Sequence, residues 1–250
     1  MGPTPGDKTY ELPALASSFV LSNARVDVEY SSSGELALAI DAEKGVVNVY
    51  DASDGQTRCS IATKSAAAAA FSPLGNYVQT WEKLTEELQN SGGNLRVWDA
   101  QTGDFLAGFS QKKFSKEAWP YVKWSSDEVI ACLQITNGIH LYNGRDIGSG
   151  VISKLSQDTL KSFSIAPGSA PYRIATFVPE IKDQPAAMKL YSYPNLTEPV
   201  SKKVMFRASG CTCAAVSPNT LCASDAEVSW SPTDSAVLTR TSTHPAKLIL

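Results

Sequence analysis

Histidine is nearly absent from this 250-residue chain; His140 and His244 are the only two. General acid–base catalysis draws on histidine more than on any other side chain, and a serine or cysteine nucleophile needs a base held by a third group. His140 lies in the strand pattern IHLY, where it packs or sits at an edge, and His244 stands near the C-terminus with no flanking motif. GxSxG and GxxxxGK[ST] are both missing, so neither a nucleophile elbow nor a phosphate-cradling loop is expected. The glycines of NGRDIGSG (143–150) read as a hairpin turn. No catalytic residue, cofactor or small-molecule substrate is expected.

Long apolar runs are also lacking. None approaches the roughly 18 residues of a membrane-spanning helix. The start, MGPTPGDKTYELP, has no basic segment leading into an apolar one and so is not a secretory signal. Pro3 and the lack of Ser or Thr at position 6 argue against myristoylation of Gly2. Asn195-Leu196-Thr197, a formal glycosylation sequon, then reads as a turn. The cysteines, Cys59, Cys132, Cys211, Cys213 and Cys222, are odd in number. Without a signal, that favours reduced thiols and a cytoplasmic protein. Cys211, Cys213 and Cys222 lack a nearby fourth ligand, so no metal is expected. A net charge of −3 excludes a surface that binds nucleic acid everywhere; any such contact needs a local basic patch.

What the chain does have is a repeating pattern of short strands and polar turns. Its clearest copy is Asn94–Phe109, NLRVWDAQTGDFLAGF, where Trp98-Asp99 leads through a turn into an outgoing strand. That is the ending of a WD-type propeller blade. Tyr50-Asp51, Tyr142 and Tyr191 close corresponding strands, and Tyr30, Phe71, Trp124, Ile165 and Trp230 each precede a Ser or Ala and a turn. The period fits blades of about 40–45 residues with loop insertions. Aromatic and branched residues recur where faces pack, and Gly, Pro, Asn and Asp where the chain reverses.

The reading is an all-β protein, a β-propeller of four-stranded antiparallel blades. Residues 1–17 form a flexible tail. Blades occupy 18–62, 65–110, 119–156 and 160–207, an incomplete fifth covers 227–240, and 241–250 is a divergent end. The count predicts a piece of a longer propeller, since few propellers close with four blades. Alanines 66–70 favour helix by propensity, yet their place in the repeat predicts an inner strand of small residues, with a helical turn as the rival. KLTEELQ (83–89) reads as a brief helix or a loop. Trp98, Asp99, Tyr50, Asp51, Trp124 and Trp230 are read as structural residues of the blades. Asp51, Asp99 and Asp127 are read as turn residues that accept local amides.

The one local basic cluster is QKKFSK (111–116), in the connection after the second blade. Lys112, Lys113 and Lys116 beside Phe114 suit contact with an RNA backbone; a solvated loop is the plainer reading of the same residues. Arg96, Lys189 and the Lys202-Lys203 pair are equally open.

Five segments together resemble the eukaryotic translation initiation factor 2A family: FSPLGNYVQTW (71–81), NLRVWDAQTGDFLAGFSQKK (94–113), WPYVKWSSDE (119–128), IAPGSAPYRIATFVPE (165–180) and KLYSYPNL (189–196). The last two are the most specific, being unlike generic WD-repeat sequence. The resemblance covers roughly 20–207 and part of 228–240; residues 210–226 and those after Arg240 depart from it. It implies the first half of a nine-bladed N-terminal propeller that precedes a charged, flexible region. It also implies a non-enzymatic factor without membrane contact. Such a factor works with the small ribosomal subunit and with initiator tRNA or mRNA, alongside other initiation factors. Another WD-repeat scaffold for protein partners, such as the propeller subunit of initiation factor 3, is the alternative.

Overall fold

The computed structural model describes residues 28–179 and 186–204, and the backbone of the strands named below that lie beyond them; side chains are described through residue 202. The expected tail (1–17) lies outside the described residues.

The first sheet joins β1 (Val28–Tyr30), β2 (Leu36–Asp41), β3 (Val46–Asp51) and β4 (Thr57–Ala62). The second joins β5 (Ala66–Phe71), β6 (Tyr77–Glu82), β7 (Leu95–Asp99) and β8 (Phe105–Phe109). The third joins β9 (Val122–Trp124), β10 (Ile130–Ile135), β11 (Gly138–Asn143) and β12 (Val151–Ser156). The fourth joins β13 (Ser162–Ile165), β14 (Arg173–Val178), β15 (Ala187–Ser192) and β16 (Ser201–Val204). Each is an antiparallel meander in chain order, as polar turns between short strands dictate.

Strand alternation explains how the sheets stack. In β10, Ile130 and Cys132 pack toward the fourth sheet, while Ala131 and Leu133 pack toward the second. In β7, Leu95 and Val97 face the third sheet and Trp98 faces the first. Both faces of β10 are buried, so IACL reads as a continuous apolar run, whereas β7 alternates Leu95 and Val97 with the half-buried Arg96. Three buried clusters fill the three junctions between consecutive sheets. Successive blades packed face to face are the architecture of a β-propeller.

The alanine segment is strand β5, not a helix. It lies against β1, β2 and β3 of the preceding sheet, where small side chains let backbones approach. The KLTEELQ segment contains the helix α1 (Glu86–Asn90). Thr85 caps it by accepting from the Leu88 amide, and Glu86 and Glu87 favour its positive N-terminal end. The 143–150 segment holds a short 3₁₀ turn at Ile147–Ser149 between β11 and β12.

Beyond the fourth sheet, β17 (Phe206–Arg207), β18 (Cys213–Val216) and β19 (Asn219–Cys222) form one three-stranded sheet. A second is formed by β20 (Ala226–Trp230), β21 (Val237–Thr241) and β22 (Leu248–Ile249). Strand β20 lies beside β13 and β14, so the sheet it opens follows the fourth blade. The sequence pattern gives no sheet to 208–226, because the repeat breaks there. Trp230 belongs to β20, and its side chain lies outside the described residues, as do those of Cys211, Cys213 and Cys222.

Candidate nucleic-acid interface

In a four-stranded meander, the connections from strand one to two and from three to four share one end of the blade. Those from two to three, and from each blade to the next, share the other. The lysine cluster belongs to this second end, on the 110–121 connection from β8 to β9.

That connection is held from below at both sides. At its start, the buried Asn94 side chain donates to the Gln111 carbonyl (2.9 Å) and accepts from the Gln111 amide (2.8 Å). Asn94 also donates to the Glu82 carbonyl at 2.6 Å, and the Trp81 indole donates to the Gln111 carbonyl at 3.3 Å. Gly93 has a φ of +105°, and a Cβ there would lie 2.3 Å from the Phe109 carbonyl oxygen. Only glycine lets the chain pass that close to β8. At the far side, the Tyr121 hydroxyl accepts from the Ser115 amide (2.6 Å) and donates to the Lys113 carbonyl (3.0 Å). The Trp119 amide donates to the Ser115 carbonyl at 3.1 Å, just before a cis Trp119-Pro120 peptide.

Lys112, Lys113, Phe114 and Lys116 stand exposed on this frame. Among the described residues, none of the three lysines forms an ion pair. Lys44 and Lys64, at the same end, are paired to Asp41 and Glu87. Glu117 is the one acid in the cluster. The Ser115 hydroxyl holds its carboxyl below the usual range, helped by the charges of Lys116 and Lys161.

The opposite end carries Asp51, Asp99, Asp127 and Glu128, which are engaged structurally. Asp51 accepts from Ser53 and from Arg58, and the Ser53 hydrogen bonds lead in holding its carboxyl low. Asp99 accepts from the Gln101 and Thr102 amides. Asp127 accepts from Ser125, from the Val129 amide and from the Tyr172 hydroxyl of the next blade (2.7 Å). Burial works to raise the Asp127 carboxyl, but these hydrogen bonds outweigh it and the group sits below its ordinary value. Burial and the Asp127 carboxylate push Tyr172 up to about 12. Glu128, buried and at φ 56°, accepts from the Leu74 amide (2.7 Å) and the Asn76 side chain (2.8 Å) of the preceding blade. The sequence pattern places Asp127 in its own turn and gives Glu128 no marker, yet both reach another blade.

The structural residues sit as follows. Trp98 is 7% exposed, and its indole donates to Thr80 at 2.9 Å. Trp124 is equally buried and stacks on Tyr77 at 6.0 Å, with an indole N–H that meets no acceptor. Tyr50 is half-buried in β3 opposite Ala37 and Thr57. Sequence reasoning missed Asn94, Trp81 and Tyr121 as the supports of the lysine loop. The partner of Asn94 and Trp81, Gln111, is distant along the chain, and the Tyr121 bonds form only once its own loop has folded back.

Among the described residues, no three His, Cys, Asp or Glu side chains gather to hold a metal ion. Cys132 is fully buried, and burial pushes its thiol far above the ordinary range. A cavity of about 330 Å³ opens between inner strands, among Tyr30, Phe71, Val122, Lys123 and Trp124. Lys123 there is already bonded to the Phe163 carbonyl at 3.0 Å. Among the described residues, no helix is long and apolar enough to cross a membrane.

Stacked four-stranded antiparallel blades define the class of protein as a β-propeller. No family model matches the chain. It is 34% identical over 222 residues to eukaryotic translation initiation factor 2A of Dictyostelium discoideum, covering 88% of this chain and 33% of that protein. It is 32% identical over 180 residues to the Schizosaccharomyces pombe factor of the same name, covering 72% of this chain and 30% of that protein. A crystal structure of a eukaryotic initiation factor superposes with a TM-score of 0.74 at 26% identity, over 92% of this chain and 53% of that one. A shorter likeness, 30% over 128 residues, links it to a component of eukaryotic translation initiation factor 3 of Xenopus laevis, over 51% of this chain and 18% of that protein. The chain belongs to the eukaryotic translation initiation factor 2A family. It spans about a third of the length of the curated relatives it matches.

Proposed function

We propose that this chain serves as propeller of a translation initiation factor of the 2A type. In this reading it is a non-enzymatic, cytoplasmic protein that associates with the small ribosomal subunit and takes part in delivering initiator tRNA. Messenger RNA and other initiation factors are further partners. The observation that carries the reading is the framed, unpaired Lys112-Lys113-Lys116 cluster in a chain of this family.

The mechanism is electrostatic. Each ammonium that meets a phosphate releases condensed counterions, which favours binding at low salt. The frame lowers the ordering cost, because the backbone under the lysines is already fixed.

The partial likeness to the initiation factor 3 component favours a second reading, a scaffold that binds protein partners only. Sucrose-gradient sedimentation of the tagged full-length protein with small subunits, under mild crosslinking, separates the two. Co-migration is expected. Its failure would leave the scaffold reading.

A further inference from the structure

We infer that the 110–121 loop takes an unpaired stretch of RNA, with one base stacked on the Phe114 ring and the flanking phosphates met by Lys112, Lys113 and Lys116. This rests on the ribosomal reading above and narrows its ligand from an RNA backbone to a single strand.

Phe114 is the reason. It is 39% exposed, at a tip otherwise made of charged and polar residues. The ring is supported from beneath by Trp81 (5.0 Å, 46°), Trp119 (5.8 Å, 46°) and Tyr121 (6.3 Å, 87°). None of these lies parallel to it, so no neighbour stacks face to face on the ring. The support keeps the ring from collapsing into the fold, and the Tyr121 hydroxyl fixes the backbone on either side of it. A rigid aromatic face among lysines is how proteins bind single strands: charge tracks the backbone and the ring takes a base. A duplex offers no base face, because its bases are already stacked. If Phe114 only capped the aromatic cluster, an apolar side chain of similar bulk would replace it without loss.

The test uses the full-length protein with a short, fluorescein-labelled, unstructured RNA and the same sequence annealed into a duplex, followed by anisotropy. The wild type is expected to prefer the single strand. Phe114→Leu keeps an apolar cover but has no π face. It should weaken single-strand binding roughly fivefold to a hundredfold, the range for losing one base–aromatic stack, and leave duplex binding unchanged. Phe114→Tyr should bind as the wild type does. Equal losses on both RNAs, no loss on the single strand, or a wild type that prefers duplex would overturn the inference. If Phe114→Leu lowers the melting temperature, Phe114→Tyr decides: weakened single-strand binding by that folded variant overturns it, and retained preference sustains it. Sedimentation keeps the two ideas apart. Co-migration of the wild type with subunits, beside unchanged oligonucleotide binding by Phe114→Leu, sinks base stacking alone. Wild-type protein that fails to co-migrate sinks the ribosomal reading instead.

Discussion

The short turns at one end of the blades and the lysine loop at the other use charge in opposite ways. At the end of the short turns, Asp51, Asp99, Asp127 and Glu128 each accept hydrogen bonds from the fold, and Asp127 and Glu128 join one blade to the next. At the other end most connections are as short, but two of them, 83–94 and 110–121, are the longest among the described residues. There the buried Asn94 side chain and the Tyr121 hydroxyl do the holding, and Lys112, Lys113 and Lys116 are left without ion pairs among the described residues. The difference teaches where a propeller spends its polar groups. Turns of a few residues must satisfy their own amides, so their carboxylates are used internally. A longer connection framed by neutral side chains can hold its charges outward.

Substitutions can break this contrast. The largest effect is expected in the blade body that both ends share. Trp98→Ala removes a buried ring and its bond to Thr80 and should cost about 3–5 kcal/mol in denaturant unfolding. Next come two substitutions of similar cost and opposite functional consequence. Asn94→Ala strands the Gln111 amide, and Glu128→Ala strands the Leu74 amide; each should cost about 1–3 kcal/mol. Only Asn94→Ala should also weaken binding to small subunits, because only it loosens the lysine loop. Equal binding losses would dissolve the distinction between the ends.

Tyr172→Phe should cost less, about 0.5–1.5 kcal/mol or somewhat more for a bond to a charged group. Its signature is in the pH profile. Tyr172 sits at about 12, above its ordinary 10, so its stabilisation is complete below pH 10 and drains as pH rises toward 12. Asp127 sits below its ordinary 3.8, so its share is present above that pH and is lost as pH falls through the depressed value. Unfolding followed across pH should show the alkaline loss in the wild type and a flatter limb in Tyr172→Phe. The smallest effect belongs to Arg58→Ala, which breaks a surface pair with Asp51 and should leave the unfolding midpoint nearly unchanged.

Much of the fold could be read from the chain, because strand grammar is local. The alternation in LRVWD and the turns after Trp98 and Tyr50 mark strands and their ends without knowledge of the neighbours. Repetition even overrode the helix propensity of the alanines, correctly, since β5 is a strand. The lysine cluster itself was visible as composition. Its rigidity was not, because Asn94 meets Gln111 and Trp81 meets Phe114 only after β6, β7 and β8 have paired. Glu128 escaped notice for the same reason: its partners, Leu74 and Asn76, belong to another blade. The strands at 213–216 and 219–222 escape the pattern because no repeat carries over into that segment.

The most direct measurement is small-subunit sedimentation of Lys112→Glu/Lys113→Glu full-length protein beside the wild type, with unfolding midpoints measured on both. Exposed charges away from packed features usually shift stability by no more than about 0.5 kcal/mol, so the midpoints should agree. The account expects the variant to leave the subunit fraction while the wild type stays, and the wild-type association to weaken steeply with salt. A variant that co-migrates as the wild type does would contradict the claim that this end of the propeller meets RNA.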